Sequence, residues 1–228
     1  MMQQVAVMIG RTSWRTVWVV FVLLVLILVL SFYVFSHDHL EHQPWYLLPA
    51  PCRMPPTVMA DMVLLARHMH EALDRLNVSH ALCFGTLWGA LRSGRFLPWD
   101  NNVDMCAFKS QFTDSSRRVK DVFSQQGMTV DYDWRTGMYA VKYGSAVGGI
   151  QTYIVSADGE FAMEGGMSNT FWRWLGGGQV IFPARLLDAP LNKVKFHGSD
   201  MPVPHEGIEI LKYLYPDNWW LEIKPPGC

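Results

Sequence analysis

The chain has 228 residues, 50% of them apolar and 17% charged, with a formal net charge of −1. That length suits one domain with an appendage rather than two full domains, and the lack of a basic surplus excludes a nucleic-acid binder. A content of 12 Phe, 10 Trp and 8 Tyr excludes intrinsic disorder, and 4 dispersed cysteines exclude a disulfide-built mini-fold.

The first element is an apolar run. Val17 to Phe35 reads VWVVFVLLVLILVLSFYVF, with no charge and one small polar residue, Ser31. A helix rises about 1.5 Å per residue, so the run matches the roughly 30 Å hydrocarbon core of a bilayer. A buried helix of a soluble protein keeps a polar stripe, which is missing here. A cleaved signal peptide has a shorter apolar region and ends in small residues, whereas this run ends in Tyr33, Val34 and Phe35. The expectation is a retained anchor in the lipid bilayer through residues 17–35. Arg11 and Arg15 precede it and the next basic residue is Arg53, so residues 1–16 are expected to be a cytoplasmic tail of a single-pass type II protein.

Residues 36–57 read as a stem. Pro44, Pro49, Pro51, Pro55 and Pro56 oppose helix and favour an extended tether. The HDHLEH stretch at 37–42 is read as a solvated loop, with a metal site as the alternative. The lumenal domain is expected over 58–228.

That domain starts with a regular pattern. Val58, Met62, Leu65, Met69, Leu73 and Leu76 recur every three or four residues and predict an amphipathic helix. His68 and His70 lie two apart on it, point to different sides and do not make a ligand pair. Asn77-Val78-Ser79 is a glycosylation sequon, usable if exposed. A strand is predicted over His80–Phe84, then Gly85-Thr86 and a short helix through Ser93. Val103–Phe108 predicts a strand, and Thr113–Gln126 a helix with Thr113 as N-cap and Gly127 as stop. Met128–Trp134, Met138–Tyr143 and Gly149–Val155 predict three strands. Gly165–Gly178 reads as a Gly- and Trp-rich loop, Lys193–Phe196 as a strand and Glu206–Leu214 as the last helix. Helices early and strands later make the class α+β.

Chemistry concentrates in Cys83–Met105, CFGTLWGALRSGRFLPWDNNVDM. Gly85-Thr86 between strand and helix lets the backbone approach a phosphate, and the helix start offers free N–H groups to an anion. Arg92 and Arg95 can each contact phosphate or lie on the surface. Along a strand, residues two apart face one side, so Asp100, Asn102 and Asp104 align there. Carboxylates so placed suit Mg²⁺ or Mn²⁺, which take carboxylate and phosphate oxygens; an ordinary polar turn is the alternative. Cys83 and Cys106 flank the motif and are read either as a disulfide or as two buried thiols. Phe171, Trp172 and Trp174 are read as a stacking surface or as packing, and Arg173 and Arg185 as structural rather than phosphate contacts.

The block Phe84-Gly85-Thr86-Leu87-Trp88-Gly89-Ala90-Leu91-Arg92, followed by Leu97-Pro98-Trp99-Asp100 through Asp104, resembles the signature of LicD-type proteins. These include bacterial phosphocholine transferases and the animal proteins fukutin and fukutin-related protein. The resemblance extends through Phe182-Pro183-Ala184-Arg185 and Met201-Pro202-Val203-Pro204 to Leu211-Lys212-Tyr213-Leu214-Tyr215-Pro216-Asp217-Asn218-Trp219. It implies a nucleotidyltransferase-like mixed sheet with flanking helices. It also implies transfer of a phospho-alcohol, ribitol phosphate or phosphocholine, from a CDP-linked donor to a glycan acceptor. Asp100 and Asp104 would hold the metal with Asn102 beside them, and Gly85, Thr86, Arg92 and Gln151 would contact substrate. A Golgi or ER location fits the animal members.

The chain departs from the family pattern at two positions. Asn102 stands where an acid is expected between Asp100 and Asp104, and Gln151 stands where a later strand should carry one. An amide oxygen can ligate a hard cation but brings no charge, which weakens the site. Asp131, Asp133, Asp158 and Glu160 are the acids able by type to compensate, and no spacing selects among them. The second reading is therefore a catalytically impaired relative that binds a glycan or a partner protein.

Overall fold

The structure is a computed structural model, which describes residues 14–41, 51–167, 170, 180–221 and 224–228. The chain divides into two units, Met1–Pro49 and Ala50–Cys228, each described by itself. In the first, helix α1 spans Trp14–Glu41. Its stretch Trp14–Ser31 is long and apolar enough to cross a membrane. The helix runs past the expected end of the span at 35 and takes up the first residues of the predicted stem. Residues 42–50 and the side chains of the HDHLEH stretch lie outside the described residues, as do Phe171, Trp172, Arg173 and Trp174.

The second unit opens with α2, Pro56–Arg75. Pro56 occupies its first turn, where a fixed φ favours helix and the missing N–H is not needed. Met62, Leu65, Ala66, Met69, Ala72 and Leu73 form its buried stripe. Burial of each larger side chain contributes about 1.5–3 kcal/mol. Strand β1 is His80–Leu82 and α3 is Phe84–Ser93. Strand β2 is Val103–Phe108, α4 is Ser116–Ser124, and β3, β4 and β5 are Thr129–Asp133, Met138–Tyr143 and Ala146–Val155. Then come β6, Phe161–Glu164, and β7, Ile181–Pro183. The hairpin β8, Asn192–Phe196, with β9, Ser199–Val203, precedes the last helix α5, Gly207–Leu214.

The main sheet has the order β1-β2-β5-β4-β3, with β6 pairing β5 and β7 pairing β6. The pair β2–β5 is parallel and the others are antiparallel. A parallel pair needs a crossover, and α4, β3 and β4 supply it. α2 covers one face: a Cβ at Gly148 would lie 3.1 Å from Met69 Sδ and 3.3 Å from Leu65 Cδ2. On the opposite face Thr129, Asp131, Ala140, Lys142 and Val147 of β3–β5 are exposed. One face is thus closed by the core and the other is partly open.

Local reading and structure differ in several places. Phe84 opens α3 rather than ending β1, so Gly85 and Thr86 lie inside the first helical turn. α4 starts three residues later than predicted, because Ser115 rather than Thr113 is the N-cap and accepts from Arg118 N. β5 begins earlier, at Ala146. β6, β7 and β9 were not predicted: the first two are short, and β9 carries Pro202, which opposes strand in a sequence reading.

Both disulfides lie in the second unit, Cys83–Cys106 and Cys52–Cys228. The first resolves the open alternative in favour of a pair. The second joins residues 176 apart and places the C-terminus beside the segment before α2. Nearby, Met54 N donates to the Pro98 carbonyl at 2.7 Å, and Lys224 Nζ lies 5.8 Å from the Trp99 ring centroid. The two ends of the unit therefore clamp the loop that leads to Asp100.

Candidate active site

The site is built where β1 hands over to α3 and where the following loop enters β2. Cys83 is extended, and Phe84 then takes φ +48°, a conformation that costs a non-glycine residue about 1–3 kcal/mol. The disulfide to Cys106 and the Leu87 N–H donating to the Cys83 carbonyl hold this turn. It aims the first turn of α3 at the loop ahead of β2. A Cβ on Gly85 would stand 2.7 Å from Asp100 Oδ1, so glycine here lets the backbone lie against that carboxylate. Gly89 serves a second close approach, since a Cβ there would overlap the Arg95 carbonyl oxygen.

Thr86 is fully buried, and its Oγ1 accepts from Asp104 N at 3.0 Å. Asn102 Nδ2 donates to Asp104 Oδ1 at 2.6 Å. Asp100 is buried, and its Oδ2 accepts from Leu97 N at 3.3 Å. Gly85, Thr86, Asp100, Asn102 and Asp104 are thus brought together. Asp104 pairs with Gly149 across the parallel ladder, and a Cβ on Gly149 would be 3.7 Å from Asp104 Oδ1. The Asp104 carboxyl therefore rests over a glycine, next to the open face of the sheet.

Electrostatics mark the same two acids. Desolvation, then the Asp104 charge, pushes Asp100 up to about 7 against the opposing Leu97 N–H. Desolvation pushes Asp104 up to about 7, opposed by the Asn102 hydrogen bond. Two close, poorly solvated carboxylates lower their cost by keeping protons. Such a pair can hold a divalent cation, which would replace the protons.

Of the other predicted residues, Arg92 lies apart from this cluster along α3. Arg92 is seven residues beyond Gly85 on α3, roughly 10 Å along the axis. Its guanidinium sits 3.8 Å from the Trp88 ring centroid. Gln151 shares the Asp104 face, one pleat beyond Gly149, and its Nε2 donates to the Thr136 carbonyl at 3.4 Å. Of the acids offered as compensation, Asp131 pairs with Lys120, Asp133 with Arg135, and Asp158 accepts from Ser156 and from Glu160 N. Arg185 pairs with Glu206 at 2.8 Å.

One acid on this face escaped the sequence reading. Glu164 pairs with Tyr153, and the ladder places both on the side of Gln151 and Asp104. The Tyr153 hydroxyl is held neutral by burial, then by Glu164, Tyr215 and Asp104. Recognising FAME at 161–164 as a strand would have exposed this alternation. On the other face, His70, Asp74 and His80 form a group that could bind a metal.

Among solved structures the chain is similar to lincomycin-bound lincosamide antibiotic adenylyltransferase LnuA, with a TM-score of 0.44, 13% identity, and cover of 68% of this chain and 87% of that one. It is similar to ANT(2″)-Ia in complex with adenylyl-2″-tobramycin, with a TM-score of 0.44, 12% identity, and cover of 69% of this chain and 76% of that one. Lipopolysaccharide cholinephosphotransferase LicD of Haemophilus influenzae is 32% identical over 59 residues, which cover 26% of this chain and 21% of that protein. The match thus spans about a fifth of that relative's length. The family model described as LicD/FKTN/FKRP, nucleotidyltransferase domain, matches residues 77–206. That stretch is more than half of the chain and contains the whole carboxylate cluster, so the chain belongs to the LicD family, with an α+β, nucleotidyltransferase-like fold.

Proposed function

We propose that this protein transfers a phospho-alcohol from a CDP-linked donor to a glycan, as a single-pass type II protein of the ER or Golgi with its domain in the lumen. The observation that carries the transferase reading is the Asp100–Asp104 pair, desolvated beside the glycine turn that opens α3. In the reaction the acceptor hydroxyl oxygen bonds to the phosphorus bearing the alcohol. The bond from that phosphorus to the bridging oxygen breaks, CMP leaves, and the hydroxyl proton passes to solvent.

The chain's residues divide this work. Asp100 and Asp104 would hold Mg²⁺ or Mn²⁺, whose chemistry is to neutralise the donor pyrophosphate. Gly85 gives room for the donor's phosphates near the first N–H groups of α3. Thr86 fixes the start of β2 through Asp104 N, and Asn102 orients the Asp104 carboxylate. Positioning and charge stabilisation supply most of the rate gain in phosphoryl transfer, so this rigidity is the main requirement. The exposed outer face of β3–β5 leaves space for an acceptor. The apolar helix α1, Arg11 and Arg15 at the N-terminal end of the span and both disulfides support a membrane-tethered domain in an oxidising lumen.

A second reading rests on Asn102 and Gln151. With amides at both positions, the cluster can serve a non-catalytic glycan- or partner-binding protein. The test uses full-length protein in detergent with Mn²⁺ or Mg²⁺ and CDP-ribitol or CDP-choline. Transferase function predicts a rise in melting temperature with metal and donor together, and CMP release once a glycan acceptor is added. Indifference to metal and donor would select the second reading.

A further inference from the structure

We propose that His70, Asp74 and His80 form a zinc site that staples the end of α2 to the first residue of β1. It is separate from the transfer site. His80 pairs with Ala107 in the ladder, so it shares the face of Met105 and Ala107, opposite to Asp104.

The geometry is that of a metal site before metal enters. His80 is 3% exposed, and its Nδ1 donates to the Val78 carbonyl at 2.8 Å. That bond fixes the tautomer and turns the Nε2 lone pair outward, as backbone carbonyls do behind metal-binding imidazoles. A neutral imidazole is the form that ligates. His70 Nδ1 stands 2.7 Å from His80 Nε2, so the two nitrogens share one proton.

Asp74 is one helical turn beyond His70, and its Oδ2 lies 3.6 Å from His70 Nε2. One ligand atom from each of the three residues can be chosen so that all lie within 4.8 Å of one another. Tetrahedral zinc with bonds of about 2.0–2.1 Å needs ligand atoms roughly 3.3 Å apart. The proton between the two nitrogens must pass to His70 Nε2 or to solvent, the two rings must part by roughly half an ångström, and Asp74 must swing inward. Asp74 is 61% exposed, so its side chain is free to turn. Water would take the fourth position. Two imidazoles and one carboxylate, without thiolate, match zinc and related borderline divalent metals better than Mg²⁺ or Ca²⁺.

The site lies just ahead of the turn at Cys83–Phe84. Zinc would therefore stiffen the strand that aims α3, without contacting the substrate.

The test takes full-length protein in detergent, stripped with chelator, and adds zinc chloride. The expected result is one zinc per chain, a higher melting temperature, and X-ray absorption showing two imidazole nitrogens. His70→Gln should abolish the thermal shift, and Asp74→Asn should weaken binding at least tenfold. Asp100→Asn should retain zinc at the same stoichiometry. Zinc binding that is absent, equal in the wild-type and His70→Gln proteins, or lost in Asp100→Asn overturns the proposal. Because the readouts are stoichiometry and melting, they stand whether or not the protein transfers a phospho-alcohol.

Discussion

Asn102 donates through Nδ2 to Asp104 Oδ1 at 2.6 Å, so an amide rather than a third carboxylate lies against that acid. This contact lowers the Asp104 pKa and partly offsets its desolvation. Replacing it by Asn102→Asp puts a like charge against Asp104. Metal-free protein should then lose about 1–3 kcal/mol at pH 7.5, while Mn²⁺ affinity rises tenfold or more. Urea melts with and without Mn²⁺ measure both effects. If Mn²⁺ stabilises the two proteins equally, the cluster is not a cation site.

The Asp100–Asp104 pair also sets a pH dependence. Both folded pKa values, about 7, are above the ordinary value of 3.8. Between pH 4 and 7 the folded chain therefore binds more protons than the unfolded one, and stability falls as pH rises through that window. For Asp100, roughly three units at about 1.4 kcal/mol each set a limit of about 4 kcal/mol. Asp100→Asn should be more stable than wild type at pH 8 in chelator and show no such gain at pH 4. Equal pH profiles for the two proteins would sink the desolvated-pair description.

Two glycines on one helix separate site from scaffold. Gly85→Ala places a methyl group against Asp100 Oδ1, a side-chain atom, while gaining up to about 1 kcal/mol of helix propensity. Its folding stability should change by less than about 1 kcal/mol, while metal-dependent donor binding falls tenfold or more. Gly89→Ala drives a methyl into the Arg95 backbone, which has less freedom to yield, and should cost about 2 kcal/mol or more. Denaturant melts beside donor titrations distinguish these outcomes. Equal loss of stability in both variants would mean that Gly85 is only a packing glycine.

The sequence carried α2 through its apolar spacing, and β2 and β4 to the residue, because buried stripes and alternation are local signals. It also marked the cluster, since Gly85, Asp100, Asn102 and Asp104 fall within one short segment. Glu164 and the His70–Asp74–His80 group were invisible because cross-strand register or helix–strand packing assembles them. His70 was weighed against His68, two residues away, whereas its partner is His80 on the next element. Cys52–Cys228 was unreadable for the same reason: a separation of 176 residues leaves no local trace.

The two disulfides should differ in what they protect. Cys83–Cys106 closes a loop of 23 residues, worth about 3 kcal/mol in the chain-entropy account. It lies beside the turn that aims α3, so Cys83→Ser with Cys106→Ser should lower both stability and donor binding. Cys52→Ser with Cys228→Ser should free the chain ends that clamp the loop at Pro98 and Trp99. Hydrogen exchange at Asp100 N, bonded to the Leu97 carbonyl at 3.1 Å, should then quicken. Unchanged exchange there would show that the clamp does not reach the site.

Asn77 is exposed at the end of α2, with φ +54°, a conformation that asparagine tolerates better than most residues. The sequon Asn77-Val78-Ser79 is therefore presented on the surface, and a type II orientation places it in the lumen. Full-length protein made in cells with a secretory pathway should carry one glycan here, seen as a gel shift removed by endoglycosidase. Ser79→Ala is the informative variant because it leaves Asn77 in place. It also keeps the Ser79 backbone N–H that donates to Gln111 Oε1 at 2.6 Å. Loss of the shift in Ser79→Ala, with folding intact, fixes the domain on the lumenal side. A wild-type chain that is never glycosylated, and whose domain is digested by protease added outside sealed microsomes, would reverse the proposed orientation and overturn the proposed transfer to a lumenal glycan.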